Sequence, residues 1–245
     1  MSRHARKIAV VTGGDSGIGR EIARALAADG ARVAVVAGSA AGCAKAAEYI
    51  NAGFPGAATG YAVDVADHAA VHDLVRRMGE ELGPVCILIH HAGETCGDTP
   101  PPMTQEVCDS KPGTHLKGAF NIVKACQRML MKAQDPRIIH ITPGIGVTGR
   151  ARDAAGTAGL IAFTKAVARE LSGRGVTCNA VVPGCVTTDM TSELDPAVRH
   201  AMLARIPLGS FGEARDIAAV VAFLASPAAR HITGQVIAVD GGMSL

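Results

Sequence analysis

The chain has 245 residues, of which 48% are hydrophobic and 19% are charged, and its formal net charge is +2. This length suits one large α/β domain, and the composition is too apolar for an intrinsically disordered chain. The small net charge gives no bulk electrostatic reason to expect binding to nucleic acid or to a membrane. The apolar run at residues 8–11 is too short for a signal-peptide core, and no stretch approaches the roughly 20 apolar residues of a membrane span. The seven cysteines include no Cys-x-x-Cys pair, which predicts reduced thiols in a cytoplasmic protein with no disulfide framework and no metal site.

Short apolar runs alternate with longer alanine-rich stretches of helical period along the chain. The predicted strands are Ile8–Val11, Val33–Ala37, Gly60–Val63, Val85–Ile89, Ile138–Ile141, Thr177–Val182 and Val236–Val239. The predicted helices cover residues 18–29, 41–52, 67–82, 115–132, 154–172 and 214–225. This alternation predicts a single-domain α/β fold over residues 1–245, a Rossmann-type doubly wound parallel sheet of seven strands with helices on both faces. Gly93–Pro102 is predicted to be a loop, and Lys111-Pro112-Gly113 interrupts the pattern just before the fourth helix.

A glycine-rich turn lies between the first strand and the first helix. Its sequence is Thr12-Gly-Gly-Asp-Ser-Gly-Ile-Gly19. Glycines permit a tight turn and let the backbone approach a pyrophosphate, and the helix N-terminus supplies free N–H groups. Because the pattern stands between a predicted strand and a predicted helix, it indicates a dinucleotide-binding turn. The candidate cofactor-binding residues here are Thr12, Gly13, Asp15, Ser16, Gly17, Ile18 and Gly19.

The spacing Thr-Gly-x-x-x-Gly-x-Gly resembles the short-chain dehydrogenase/reductase family. The resemblance continues through Asp64-Val65, His90-His-Ala-Gly93, Pro183-Gly-Cys-Val-Thr-Thr-Asp-Met190 and Val239-Asp-Gly-Gly-Met243, and it is strongest to bacterial 3-oxoacyl-acyl-carrier-protein reductases. It implies strand order 3-2-1-4-5-6-7, one NAD(P)-binding domain, a homotetramer or heterotetramer, and a small-molecule or acyl-carrier-linked substrate. It also implies further cofactor contacts from Gly38, Ser39, Asp64, Val65, His91, Ala92, Gly93, Pro183, Gly184, Val186 and Thr188.

The residues after the second strand bear on which dinucleotide is bound. NAD-preferring relatives place a carboxylate there, whereas this chain has Ala37-Gly38-Ser39. NADP-preferring relatives place an arginine there or in the glycine turn, whereas the turn has Asp15-Ser16. Asp15 opposes a 2′-phosphate, and Ser39 can hydrogen-bond either cofactor. The missing carboxylate slightly favours NADP(H) over NAD(H).

The resemblance implies a catalytic tetrad of Asn, Ser, Tyr and Lys, in which the tyrosine is the general acid/base and the lysine lies one helical turn later. The aligned positions of this chain hold His115, Pro143, Asp153 and Thr157. The only two tyrosines, Tyr49 and Tyr61, fall in the second predicted helix and the third predicted strand, and no Tyr-x-x-x-Lys occurs anywhere. The sequence therefore predicts that ordinary tyrosine-dependent ketoreduction is nearly abolished.

Three interpretations follow. In the first, Asp153, His115 and His91 form a new acid/base set that runs an atypical reduction, or a non-redox isomerisation, cyclisation or dehydration. Each of these residues also has a structural explanation, because a histidine can be a hydrogen-bonded core residue and an aspartate a helix N-cap. In the second, the chain is a catalytically silent subunit that associates with an active paralogue, partly through the small residues 154–159. In the third, it is a dinucleotide sensor without chemistry of its own.

Overall fold

The computed structural model describes residues 4–91, 113–142, 151–187 and 195–245, with the backbone alone described at residues 113–114 and 151–154. The strands in these ranges are β1 (Ile8–Thr12), β2 (Arg32–Ala37), β3 (Ala58–Ala62), β4 (Val85–His90), β5 (Arg137–Ile141), β6 (Thr177–Pro183), β7 (Val186–Thr187), β8 (Gly212–Glu213) and β9 (Val236–Val239). The α-helices are α1 (Gly17–Ala28), α2 (Ala40–Gly53), α3 (His68–Glu81), α4 (Gly118–Leu130), α5 (Ala151–Leu171), α6 (Pro196–Leu203) and α7 (Ala214–Ala225). A π-helical turn, Gly113–Lys117, leads directly into α4. None of the described helices is long and apolar enough to cross a membrane.

Seven strands form one sheet in the order β3-β2-β1-β4-β5-β6-β9. Every pairing in this sheet is parallel. The α/β architecture, the seven strands and their order are therefore confirmed, with β9 as the seventh strand of the prediction. The order reverses between β1 and β4, so a crevice opens there at the carboxyl ends of the strands, which is where ligands bind in open α/β sheets.

The sheet has a hydrophobic core on each face. Alternate residues of β1 point to opposite faces, so Ala9 and Val11 belong to one core cluster and Val10 belongs to the other. Helices α1, α2 and α7 cover the first face, and α3, α4 and α5 cover the second. Because both faces are buried, the strands are nearly continuous apolar runs, as in other parallel sheets.

Several boundaries differ from the predicted ones. The helix predicted over 115–132 begins as the π-helical turn and becomes an α-helix only at Gly118, and the helix predicted over 154–172 spans Ala151–Leu171. Helix α6 and the small parallel pair β7-β8 were not predicted. The predicted loop Gly93–Pro102 lies outside the described residues.

Candidate functional site

The glycine turn joins β1 to α1 at the crevice. Gly13 and Gly17 have φ values of 63° and 48°, in the left-handed region that favours glycine. A Cβ on Gly13 would lie 3.0 Å from His91 Nδ1, so the turn packs tightly against the end of β4. Ser16, the N-cap of α1, makes no side-chain capping hydrogen bond. The first N–H groups of α1 are therefore not capped by that side chain, and they suit a phosphate group.

The loop after β2 forms a second border of the crevice. A Cβ on Gly38 would meet no atom within 4 Å, so open space adjoins this residue. Ser39 is the N-cap of α2, and its hydroxyl oxygen accepts a hydrogen bond from the Gly42 N–H at 3.1 Å. The side chain of Asp15 lies against this same first turn of α2, because its carboxylate oxygen Oδ2 is 2.9 Å from where a Cβ on Gly42 would be.

The segment after β3 is held by side chains on both sides. The carboxylate of Asp64 accepts a hydrogen bond from the Ala66 N–H at 2.9 Å, and Val65 is buried. Asn121 of α4 donates its amide to the Val65 carbonyl at 3.0 Å. Asp64 and Val65, which the family resemblance assigns to the adenine region, thus occupy a fixed loop at the carboxyl end of β3.

The segment after β6 approaches the C-terminal loop closely. The Gly184 N–H donates to the Val239 carbonyl at 3.0 Å, and a Cβ on Gly184 would lie 2.6 Å from the Cα of Asp240. Pro183 ends β6, and the buried side chain of Val186 belongs to the core cluster beneath α7. Three further candidate cofactor residues, Ala92, Gly93 and Thr188, lie outside the described residues.

Three histidines converge at the carboxyl ends of β1 and β4. His91 donates its backbone N–H to Thr12 Oγ1 at 3.0 Å, and its Nδ1 lies 3.3 Å from the Gly13 carbonyl oxygen. Because a carbonyl only accepts, His91 Nδ1 carries the proton and Nε2 is the acceptor nitrogen of the neutral ring. The Nε2 atom of His90 lies 3.1 Å from the backbone carbonyl oxygen of His115, which belongs to the π-helical turn.

The surroundings of His90 and His91 favour neutral rings. Burial lowers the pKa of His91 from its usual value, the hydrogen bond to the Gly13 carbonyl raises it, nearby His115 lowers it, and the Asp15 carboxylate raises it. Burial, together with His140, also lowers the pKa of His90 well below its usual value. A neutral imidazole can accept a proton at pH 7, so His91 has the protonation state of a general base.

The remaining tetrad positions divide between described and undescribed parts of the chain. Thr157 is buried, and Thr142 at the end of β5 donates its hydroxyl to it at 3.3 Å. Asp153 lies in the first turn of α5, inside the helix rather than at an N-cap position, and only its backbone is described. Pro143 lies outside the described residues.

Both tyrosines lie away from the carboxyl ends of β4 and β5. Tyr61 is buried in β3 and donates its hydroxyl to the Glu81 carboxylate at 2.7 Å. Burial and Glu81 together raise the pKa of Tyr61 to about 12. Tyr49, on α2, is half-exposed and donates to Glu21 at 3.4 Å. These positions agree with their sequence-based assignment to the third strand and the second helix.

Sequence reasoning missed two residues that organise this site. His90 was noted only as part of a motif, although it is the register partner of Thr12 across the parallel pair β1-β4. Thr142 follows β5 directly and contacts the residue at the family's lysine position. Their positions at strand ends could have revealed both residues, because polar residues that end adjacent parallel strands meet at one edge of the sheet.

The described residues fit a dinucleotide. The turn is built from glycines that side chains would obstruct, the start of α1 lacks a side-chain cap, and open space adjoins Gly38. The described part of the chain contains no group of three metal-ligating side chains. A phosphate group would fit at the uncapped start of α1, and the exposed Gly38 leaves room beside the loop after β2.

Comparisons with known proteins agree with the fold. A family model described as "Enoyl-(Acyl carrier protein) reductase" matches residues 13–244. The 3-oxoacyl-(acyl-carrier-protein) reductase FabG of Escherichia coli (strain K12) is 41% identical over 240 residues, with 97% of each chain covered. Its counterpart from Pseudomonas aeruginosa is 41% identical over 241 residues. A crystal structure of gox2181 superimposes with a TM-score of 0.93 at 30% identity, over 99% of this chain and 97% of that one. The chain therefore belongs to the short-chain dehydrogenase/reductase family, with 3-oxoacyl-(acyl-carrier-protein) reductases among its relatives.

Proposed function

We propose that residues 1–245 form one NAD(P)(H)-binding domain whose acid/base chemistry is carried by His115, Asp153 and His91 in place of the family's Tyr and Lys. Its substrate is a small molecule or an acyl-carrier-linked thioester, the class that the names of its relatives indicate. The observation that carries this proposal is the pairing of His91 with the glycine turn, where its Nδ1 lies 3.3 Å from the Gly13 carbonyl oxygen.

Each side chain has a defined task in this proposal. His91, held through Nδ1, presents Nε2 as a proton acceptor. His115, whose backbone is fixed by His90, exchanges a proton with the substrate, and Asp153 in the first turn of α5 orients the substrate or stabilises charge on an imidazolium. A bound dinucleotide would supply hydride transfer if the reaction is a reduction. If it is an isomerisation, cyclisation or dehydration, the same residues move protons while the dinucleotide serves as a structural ligand.

The buried threonine at position 157, where the family has its lysine, argues against ordinary ketoreduction. A lysine at this position would have to place its ammonium group in a buried space that a threonine pair now fills. Thr157 itself carries no cationic group that could lower the pKa of an acid or hold a ribose. The loss of one positioned general acid typically costs ~10²–10⁴ in rate, and lost positioning adds to this.

A silent subunit is the second candidate, and the surface of α4 and α5 favours it. A Cβ on Gly156 would meet no atom within 4 Å, whereas a Cβ on Gly159 would lie 3.1 Å from Leu116 of the same chain. Gly159 thus serves packing inside the subunit, whereas Gly156 is buried although a Cβ there would meet no described atom. Phe120 on α4 is 50% exposed. These features suit association through the two helices into a homotetramer, or a heterotetramer with an active paralogue.

A dinucleotide sensor would need the same binding site and no turnover.

Binding of NADH and NADPH to the purified protein tests the proposal first. The chain has no tryptophan, so nicotinamide emission should be followed directly, with calorimetry as a second measurement. Micromolar binding supports the dinucleotide site, and a screen of 3-oxoacyl thioesters and small carbonyl compounds then separates turnover from sensing. Absence of binding at millimolar concentration overturns the redox and sensing interpretations together. Co-purification with a paralogue that retains Tyr and Lys favours the silent subunit.

A further inference from the structure

Two exposed histidines lie one turn apart at the start of α3. His68 is the first residue of the helix and His72 follows four positions later, so both side chains lie on one face. Their ring centres are 4.6 Å apart and the ring planes are tilted by 57°, so the rings are not stacked face to face. Histidines at this helical spacing can bind one zinc ion together.

The orientation of His68 is set by a buried amide of α4. Asn121 is 2% exposed and donates Nδ2 to the backbone carbonyls of Val65 and Ala66, at 3.0 Å and 3.2 Å. Its Oδ1 atom is therefore the acceptor that lies 3.2 Å from His68 Nδ1. Nδ1 carries the proton, and Nε2 has the lone pair that a metal ion needs. Histidines that bind metals usually donate their other N–H in this way, which fixes the ring and its tautomer.

The distance between the two rings suits one shared ion. A zinc ion bonded to one nitrogen of each ring at about 2.0–2.1 Å lies about 3 Å from each ring centre. With the ring centres 4.6 Å apart, the angle at the ion is about 95–100°, between the octahedral and tetrahedral values. Both histidines can therefore bond to the same ion without a change in the helix.

The charges near the pair are compatible with a cation. Asp67, the N-cap of α3, places a carboxylate beside His68 and offsets the positive end of the helix dipole. Arg76, one turn beyond the pair, is itself paired with Asp73 and Glu80 at 3.3 Å and 3.6 Å. The positive charges on either side are thus compensated by carboxylates of the same helix.

We propose that His68 and His72 form a binding site for one Zn²⁺ ion. The two imidazoles are its protein ligands and water completes the coordination, since the described residues contain no cluster of three metal-ligating side chains. The expectation that the chain has no metal site rested on cysteine spacing, whereas this site uses histidines. Through Asn121, the bound ion braces the first turn of α3 against the loop that follows β3. The site needs no dinucleotide, so it is independent of the proposed function.

The test is a calorimetric titration of ZnCl₂ into metal-free protein that carries no polyhistidine tag. The parent should bind one ion that His68→Ala and His72→Ala each bind at least about tenfold more weakly, because each variant loses the chelate. His72→Cys keeps a zinc ligand on the same turn and should restore binding. His200→Ala, at an exposed histidine of α6, is the matched control and should keep the affinity of the parent. Excess Zn²⁺ should also raise the unfolding temperature of the parent more than that of His72→Ala, and EDTA should reverse the difference.

A parent protein that binds no zinc overturns the inference, as does an equal zinc affinity in the parent and both alanine variants. Weaker binding in only one alanine variant also overturns it, because the ion would then have its other ligands elsewhere. The same conclusion follows if His200→Ala weakens zinc binding as much as His72→Ala does. Equal unfolding temperatures of all variants without metal ensure that the affinities compare folded proteins.

Discussion

His90 Nδ1 lies 3.0 Å from the hydroxyl oxygen of Thr12, while the Nε2 of the same ring lies 3.1 Å from the carbonyl oxygen of His115. The carbonyl can only accept, so Nε2 carries the proton and Nδ1 accepts from the Thr12 hydroxyl. That hydroxyl in turn accepts the backbone N–H of His91 at 3.0 Å. A single neutral imidazole therefore links the start of the glycine turn to the π-helical turn that carries His115.

Replacing His90 by leucine should destabilise the protein. The variant removes one buried hydrogen-bond partner from the Thr12 hydroxyl and one from the His115 carbonyl, and losing a hydrogen bond to a buried polar group costs about 1–3 kcal/mol. We expect a loss of roughly 2–5 kcal/mol in the free energy of unfolding measured with urea. His90→Asn keeps one donor and one acceptor and should lose less. His72→Leu, at an exposed histidine of α3, is the control. Equal stability of His90→Leu and the parent would show that the link is unimportant.

Stability should fall as the solution is acidified below about pH 6.5. Burial lowers the pKa of His140 to about 3 and that of His90 well below its usual value, whereas both histidines titrate near 6.5 when unfolded. Because protonation favours the unfolded state, this contribution is complete above pH 6.5 and declines as pH falls towards the folded pKa. The slope is about 1.4 kcal/mol per pH unit for each histidine. Urea unfolding curves recorded between pH 7.5 and 4.5 measure this decline in the free energy of unfolding.

His140→Phe isolates one of these two contributions. The ring of His140 packs near Phe163, and its Nδ1 bonds to Thr164, whose hydroxyl already donates to the Leu160 carbonyl. The variant therefore leaves Thr164 with a partner while it removes a titrating group. Its stability should decline less steeply between pH 6.5 and 4.5 than that of the parent. If His140→Phe leaves the slope unchanged, His140 does not contribute to the pH dependence. His200→Phe, at an exposed site, is the control and should keep the slope of the parent.

The sheet was predictable because its strands carry a strong local signal. Both faces of β1 are buried, so Ile8–Val11 is uniformly apolar, and the helices between strands show their period. The π-helical turn was not predictable, since its geometry depends on a hydrogen bond from His90, which is distant in sequence. Helix α6 was missed because none of its residues is buried, which leaves no apolar period to detect.

The position of the glycine turn between β1 and α1 was predictable from its motif, but the contacts that it makes were not. The spacing of the glycines between a strand and a helix is enough to predict a phosphate-binding turn. The close approach of Asp15 to the first turn of α2 joins residues on different elements, so the spacing of the motif could not predict it. Residue types at the tetrad positions were visible in the sequence, whereas the burial of Thr157 against Thr142 required the fold.

Replacing Gly13 by alanine should weaken dinucleotide binding at least tenfold. The residue has φ of 63°, and a Cβ there would lie 3.0 Å from His91 Nδ1 and 3.1 Å from the His91 backbone, so the turn must shift. Gly56→Ala is a matched control, because Gly56 has φ of 73° and open space around its Cβ position. Both variants pay a similar backbone strain, and only Gly13→Ala should lose affinity in the calorimeter. Equal affinities would remove the glycine turn from the binding site.

The proposed association through α4 and α5 predicts that replacing Phe120 by aspartate reduces the mass of the protein in solution. Phe120 is 50% exposed, and its ring lies 6.4 Å from that of Phe163 across α4 and α5. An unpaired carboxylate buried in an apolar interface costs several kcal/mol, enough to dissociate a helix-mediated assembly at micromolar concentration. Light scattering after gel filtration measures the mass, and Val198→Asp on α6 serves as the control at another exposed apolar site. A mass unchanged from the parent would locate the interface elsewhere.

Replacing His115 by alanine should lower the turnover of any substrate that the screen identifies by ~10²–10⁴-fold, the usual contribution of a positioned acid/base group. Asp153→Asn should act in the same direction, and because the two groups work on one proton path, the double variant should lose less than the product of the single losses. His200→Ala, an exposed histidine on α6, should keep full activity. Since His115 is held through its backbone carbonyl, His115→Ala should preserve dinucleotide affinity and the unfolding midpoint while it loses kcat. Unchanged kcat in both single variants would falsify the proposed acid/base set and favour a site built on other residues.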